Sequence, residues 1–394
     1  MRRVSTDSRR HRSLLTVPHL VAIDLPGGEQ FVDALRRIWD AGDAAFPIDR
    51  RLPPPARQAL LDAMAPDRLV DADGSRHLAG RSVDDGDALV VATSGTTGSS
   101  RGVVLTHGAV EASALATSAR LGVAPGDMWL ACLPLSHVGG LSVVTRALAT
   151  GTRLVVHDGF DAGAVEAEAR AGATFVSLVA TALRRVDPSV FRQIVLGGSH
   201  PPDDLPANVV TTYGMTETGS GVVYDGRPLD GVEVRVDPHG EIHLRGAMLL
   251  RCYRDGTDPL ADGWFPTGDL GSLDDAGCLT VLGRRGDMII TGGESVWPSA
   301  VEAVLSTHPA VAEVAVAGEP DAEWGQRIIA WIVARDASSP PTLASIRSMA
   351  GDFLPMYMAP KEIRLVESLP ITSSGKVRRH DLPSSTTKVA PDAE

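Results

Sequence analysis

Between about residues 80 and 215, short apolar runs alternate with stretches whose apolar residues recur at helical spacing. Ala88-Leu89-Val90-Val91-Ala92 and Val103-Val104-Leu105 read as strands. The second ends at Thr106, a hydroxyl residue suited to cap a helix that runs to Gly122. Met128 to Leu133 reads as a strand, Gly140 to Ala149 as a helix and Arg153 to His157 as a strand, with Gly151 between the last two. A helix over 162–171 and strands over 174–179, 193–196 and 208–212 continue the alternation. This pattern predicts an α/β fold of layered sheets with helices on both faces. From 232 to 282 the pattern breaks into short strands and turns (EVRV, EIHLRG, CLTVLG), a small β subdomain. Past Arg285, VAEVAVAGE and QRIIAWIVAR form an expected antiparallel pair, followed by a helix over 342–353 and a strand over 361–369. The expected organisation is a large α/β N-terminal domain (21–284) carrying the β subdomain, then a small, mobile α+β C-terminal domain (285–382). Residues 1–20 and 383–394 are expected to be disordered.

Composition narrows the class. The chain has 394 residues, of which 43% are hydrophobic and 22% charged, and 37 basic against 49 acidic side chains give a net charge of −12. No basic stripe points to nucleic acid, and no apolar run approaches the roughly 18 residues of a membrane span. Three cysteines without a CxxC pair suit a reducing cytoplasm. The N-terminus, MRRVSTDSRRHR, leads into no apolar core with a small-residue cleavage site, so no signal peptide is expected.

Four stretches carry chemistry. TSGTTGSSRG, Thr93 to Gly102, follows an apolar strand. Gly95 and Gly98 let the backbone approach an anion, the hydroxyls of Thr93, Ser94, Thr96 and Thr97 and the loop N–H groups can converge on phosphate oxygens, and Arg101 adds a fixed charge. The P-loop pattern GxxxxGK[ST] and the GxGxxG fingerprint are both absent. In TTYGMTETGSG, Thr211 to Gly221, Tyr213 offers a ring, Thr216 a hydroxyl and Glu217 a hard oxygen for Mg²⁺. In the segment from Gly263 to Pro298, Asp269 sits in a glycine-flanked turn and Arg284 follows a strand. In PITSSGKVRR, Lys376 sits in a Ser/Gly loop.

Together and in this order, these stretches resemble the adenylate-forming superfamily, which includes acyl-CoA synthetases, firefly luciferase and nonribosomal-peptide adenylation domains. The resemblance covers roughly residues 88–382. It implies that ATP and a carboxylic acid form an acyl-adenylate, that the C-terminal domain then rotates, and that a thiol takes the acyl group. Thr93 to Gly98 with Arg101 would grip the β- and γ-phosphates. Gly198 and Ser199 would line adenine and acid, and Tyr213 would stack on adenine. Thr216 would contact the α-phosphate, Glu217 would hold Mg²⁺, and Asp269 with Arg284 would hold the ribose. Lys376 would reach the α-phosphate and attacking carboxylate in the first conformation only.

Two departures stand out: Arg101 replaces a common Pro-Lys, and Gly286-Asp287 replaces a common Asp-Asp at the hinge. Gly292-Gly293 resembles the loop lining the pantetheine tunnel in aryl-CoA ligases, which implies coenzyme A as thiol acceptor. The late start of the phosphate loop, CLPLSHVGGL, LGGSHPP and YGMTETGSG most resemble the menaquinone-pathway branch, whose acid is o-succinylbenzoate, in its short actinobacterial form. His137 would then sit at the acyl pocket, facing the diacid's spare carboxylate or acting as a gate, and glycines at 139, 140, 197 and 198 would leave room for an aromatic ring. Other aryl- or short acyl-CoA ligases, a carrier-protein-loading enzyme and an inert nucleotide-binding relative are the alternatives. A homodimer is expected from the family only.

Overall fold

A computed structural model describes residues 17–93, 101–198, 201–202, 204–372 and 377–384. Two seven-stranded sheets and a four-stranded sheet build the large unit, and a five-stranded sheet builds the C-terminal one. In the first sheet Leu20–Ile23 lies parallel between Ala44–Pro47 and Arg68–Asp71. Asp87–Thr93 pairs antiparallel with Arg101–Thr106, bringing Thr93 opposite Arg101. In the second sheet Met128–Ala131, Phe175–Leu178, Gln193–Leu196 and Val209–Gly214 run parallel.

The helices His107–Leu121 and Val138–Thr150 fill the space between these sheets. Thr106 accepts a hydrogen bond from the Ala109 N–H at 3.1 Å, and Gly122 closes the first helix in the left-handed region at φ 63°. The second helix is buried without a break from Gly140 to Ala147. A helix covered on all sides is expected to be largely apolar, and this one is, except for the hydroxyls of Ser142 and Thr145 and a charge at Arg146. Its side chains share a core with Leu89, Leu105, Trp129 and Val195.

The hydrophobic pattern assigns nothing before about residue 80, yet Leu20–Ile23, Glu29–Asp40, Ala44–Pro47 and Pro54–Met64 are regular elements there. The strands are four residues each and pair only with distant segments, so no local period announces them. Leu20, inside the leading segment expected to lack structure, already belongs to a fully buried strand. The β subdomain is the four-stranded antiparallel sheet of Val232–Val236, Glu241–Gly246, Phe265–Leu273 and Leu279–Arg284. One short piece of the 232–282 region lies elsewhere: Cys252–Tyr253 pairs with Arg101–Thr106 as the edge of the first sheet. In the C-terminal unit the expected hairpin forms between Val311–Asp321 and Gly325–Ala334, the helix spans Leu343–Phe353, and the last strand, Glu362–Leu365, is shorter than expected. Among the described residues no helix is long and apolar enough to cross a membrane.

Candidate active site

Gly198, Tyr213, Thr216, Glu217 and His137 lie where the parallel strands of the second sheet end. Gln193–Leu196 leads into Gly197-Gly198, Val209–Gly214 carries Tyr213 and leads into the short 3-10 helix Thr216–Thr218, and Met128–Ala131 leads through Cys132 to His137. Carboxyl ends of strands in such sheets form the usual ligand crevice, because side chains there escape the packed layers.

Tyr213, Asp269 and Arg284 form one cluster. Asp269 and Arg284 face each other across neighbouring strands. Arg284 Nε lies 3.0 Å from Asp269 Oδ1, and the Tyr213 hydroxyl donates to Asp269 Oδ2 at 2.8 Å. Asp269 is buried, and Arg284 supplies the charge that makes a buried carboxylate tolerable. Burial and the Asp269 charge push the Tyr213 phenol well above its ordinary pKa, so it stays a donor.

A second cluster runs from the neck of the phosphate loop. Thr93 Oγ1 donates to the Arg101 carbonyl at 3.2 Å. The Arg101 guanidinium lies over the Tyr253 ring, 3.8 Å from its centroid, and 3.6 Å from Asp255. The Tyr253 hydroxyl donates to Glu217 Oε1 at 3.0 Å. Burial, with the Glu217 charge, raises the Tyr253 pKa. One Glu217 oxygen is thereby oriented by Tyr253, and a half-buried carboxylate held this way is the hard oxygen donor that Mg²⁺ prefers. Thr216 adjoins Glu217 in the same short helix.

Ser94, Gly95, Thr96, Thr97 and Gly98 of the phosphate loop, Ser199 and Lys376 lie outside the described residues. Gly292 and Gly293 form the two-residue turn between Ile289–Thr291 and Glu294–Val296, both with positive φ (60° and 85°), as a tight hairpin of this kind requires. They belong to the C-terminal sheet, where Trp324 packs against Gly292, and not to either cluster.

His137 begins the Val138–Thr150 helix, and its Nε2 lies 3.5 Å from Asp49 Oδ2. Of the glycines expected to make room for a ring, Gly140 has another use. A Cβ there would meet the Leu133 carbonyl oxygen at 2.3 Å, so its missing side chain lets the helix start against the preceding loop. Beneath the Thr216–Gly219 segment, Leu89, Leu105, Val138, Leu141, Thr145 and Gly219 line a small cavity.

Sequence reasoning passed over Arg146. It is 2% exposed and forms no ion pair among the described residues. Its guanidinium donates to the Ser177 hydroxyl at 3.4 Å and to Ser220, packs toward Trp129, and keeps a buried Nε without a hydrogen-bond partner. Burial pushes its pKa below the ordinary arginine value. The available signal was a lone arginine inside the apolar run VGGLSVVTRALAT. Asp49 and Tyr253 offered no such signal, because their roles arise from contacts across distant segments.

A first expectation follows from the Tyr213–Asp269 contact. Tyr213→Phe keeps the ring and removes one hydrogen bond to a carboxylate, worth roughly 1.5–3 kcal/mol. The KM for ATP is expected to rise about tenfold or more with kcat nearly unchanged. Steady-state kinetics at varied ATP decides this, and an unchanged KM removes Tyr213 from the nucleotide site.

The family model for AMP-binding enzyme matches residues 79–254, and that for the AMP-binding enzyme C-terminal domain matches residues 300–376. A protein of Mycobacterium tuberculosis named probable 2-succinylbenzoate–CoA ligase is 39% identical over 387 residues, covering 91% of this chain and 96% of that one. A 2-succinylbenzoate–CoA ligase of Bacillus cereus is 37% identical over 334 residues, covering 74% of this chain and 69% of its own. Among solved structures, o-succinylbenzoate CoA synthetase from Bacillus subtilis in complex with the acyl-adenylate intermediate superposes with a TM-score of 0.84 at 28% identity, covering 95% of this chain and 90% of that one. The same Bacillus subtilis enzyme in complex with ATP and magnesium ion gives 0.83 at 28%, covering 93% of this chain and 90% of that one. The two matched domains in order, the clusters around Glu217 and Asp269, and a relative alike over nearly its whole length lead to one statement: this chain belongs to the AMP-binding enzyme family.

Proposed function

We propose that this enzyme activates o-succinylbenzoate with ATP and passes the acyl group to coenzyme A. The acid's carboxylate oxygen attacks the α-phosphorus, and the bond to pyrophosphate breaks to give the acyl-adenylate. The CoA thiolate then attacks the acyl carbon, releasing AMP and leaving the thioester. The relatives named for this acid support the reading over most of the chain.

The observation that carries it is Arg146. A buried guanidinium keeps its charge and is costly without a counter-ion. Here it is held by two serine hydroxyls, one of them in the Gly219-Ser220 turn just past Thr216-Glu217. That is a receptor for an anion entering from the substrate side, and o-succinylbenzoate carries a second carboxylate besides the one that reacts. In this assignment Arg146, in the third turn of the helix that begins at His137, frames the acid together with His137.

Tyr213 with the Asp269–Arg284 pair would receive adenine and ribose, Thr216 the α-phosphate, and Thr93 to Gly98 with Arg101 the terminal phosphates. Mg²⁺ held at Glu217 would supply charge neutralisation on the phosphates. Phosphoryl-centre substitution asks mainly for positioning and charge stabilisation, which these groups supply. The Gly292-Gly293 turn presents only backbone, in keeping with a narrow passage for the pantetheine arm. A cytoplasmic enzyme acting on small molecules, not nucleic acid, fits the acidic charge and the free thiols of Cys132, Cys252 and Cys278. The homodimer expected from the family is decided by light scattering.

Pyrophosphate release is to be compared for o-succinylbenzoate, benzoates without the second carboxylate, and fatty acids, each with and without coenzyme A. Release with o-succinylbenzoate, and thioester only when CoA is added, is expected. Turnover confined to fatty acids or to acids with one carboxylate overturns the substrate assignment.

A further inference from the structure

We propose that Asp49 is a positioning residue for His137, orienting the imidazole at the mouth of the acyl pocket. The inference rests on the reading of His137 as a pocket residue given above. Asp49 follows Ala44–Pro47, an inner strand of the first sheet, and lies 88 residues before His137, at the junction of the two large sheets. Its side chain is only 7% exposed, while that of Arg51 is 47% exposed, so the pair is covered on the Asp49 side and open to solvent on the other.

The carboxylate is held from several directions. Oδ1 accepts from the Arg51 backbone N–H at 3.1 Å and from Arg51 Nε at 2.8 Å, and Oδ2 accepts from Arg51 Nη2 at 2.8 Å. The same Oδ2 lies 3.5 Å from His137 Nε2. Burial alone would raise the Asp49 pKa, but the bonds from His137 and Arg51 outweigh it and hold the carboxyl well below the usual carboxylate range. Asp49 is therefore an anion, and Arg51 cancels its charge from the solvent side.

Geometry separates this pair from an ordinary structural ion pair. The Arg51 fork and backbone bond span two residues, and they already suffice to hold the local turn. The contact with His137 adds nothing to that turn. It ties the first sheet to the start of the helix that carries Arg146. A carboxylate facing one ring nitrogen selects the tautomer and orientation of the imidazole, so the pocket meets the acid with its histidine already aimed. Arg51 makes the anchor rigid and prevents Asp49 from repelling an incoming carboxylate, since the pair is neutral as a whole.

Asp49→Asn keeps the size and removes the anion. It is expected to lower the kcat of adenylation about tenfold, in the middle of the range for coupled neighbours, with the KM for ATP unchanged. In a double-mutant cycle, Asp49→Asn should add almost nothing to His137→Ala, because a positioning residue has nothing left to position. Effects that add in full overturn the proposal, as does wild-type kcat in a folded Asp49→Asn. The ring resonances of His137 provide a readout without substrate: Asp49→Asn should move them, and unmoved resonances overturn the proposal whichever acid is used. Loss of turnover on o-succinylbenzoate in the wild type, with the ring resonances still responding to Asp49→Asn, would instead overturn the substrate assignment alone.

Discussion

Replacing Lys376 with alanine is expected to abolish acyl-adenylate formation from acid and ATP while leaving thioester formation from a supplied acyl-adenylate and CoA close to wild type. Lys376 itself lies outside the described residues, but both ends of its loop are anchored. Ile371 and Val377 bridge antiparallel, and the Arg378 N–H donates to the Pro370 carbonyl at 2.8 Å. Immediately beyond, Arg379 donates to both oxygens of Glu302 at 2.7 Å, to Asp287 at 3.3 Å and to the Val316 carbonyl at 3.1 Å. Both flanks of the loop are thus clamped, and Asp287 belongs to the Gly286-Asp287 step that the sequence marks as the expected hinge. In the proposed scheme the Lys376 charge moves with the C-terminal domain to which these flanks are tied. A preorganised charge at the α-phosphate is worth about 10²–10³ in rate, or roughly 3–4 kcal/mol. The second half-reaction, in which a thiolate displaces AMP, makes no use of the lysine in this scheme. Two assays on one preparation decide the matter: pyrophosphate release from ATP and acid, and thioester formation from purified adenylate. Adenylation at the wild-type rate, or equal loss in both assays, removes Lys376 from its assigned role.

The fold, and the grouping of residues proposed for the nucleotide, were legible in the sequence for a physical reason. Helix caps such as Thr106 and Gly122, the alternation of strand and helix, and polar residues massed after apolar strands are local signals, and each was read where it stood. The Tyr213–Asp269–Arg284 cluster was legible because each member sits in a short motif. On the proposed acid side His137 was named from sequence, and its partner was not. Asp49 and His137 meet across 88 residues, Arg146 reaches Ser220 across 74, and no motif contains both members of either pair. The strands Leu20–Ile23 and Ala44–Pro47 were hidden for the same reason, since each gains its partners from elsewhere in the chain. The residues proposed for the nucleotide are marked locally, and the contacts proposed for the acid arise in the packing.

Arg146→Met is expected to make the protein more stable and to remove its activity on the dicarboxylic acid. The argument starts from cost. Replacing buried charges by apolar side chains of similar volume is commonly neutral or stabilising by about 1–4 kcal/mol, even where the charge has an ionic partner. Arg146 has none among the described residues, only two serine hydroxyls and the face of Trp129, and its Nε is unpartnered. Against the gain stands the loss of those two hydroxyl contacts, one of them long at 3.4 Å. A hydroxyl can turn to another acceptor, whereas a buried guanidinium cannot shed its charge, so stability should rise. Met fills much the same length, which limits any cavity at a position buried on all sides. The melting temperature is expected to rise by a few degrees, in line with about 1–3 kcal/mol in a protein of this size. The catalytic consequence has the opposite sign. If the guanidinium receives the substrate's second carboxylate in this dry site, removing it costs roughly 2–5 kcal/mol, a fall of about 30- to 5,000-fold in kcat/KM for o-succinylbenzoate. Arg146→Lys should recover only part of that, because an ammonium lacks the planar fork that matches a carboxylate. An aryl acid with a single carboxylate should be turned over by the Arg146→Met variant no worse than by the wild type, since its binding never engaged the charge. A variant that melts lower and loses all acids alike would show that Arg146 serves the core and not the substrate. Higher stability with selective loss of the dicarboxylate is the pairing expected when a charge is kept in the core for its ligand, at the expense of the fold that holds it.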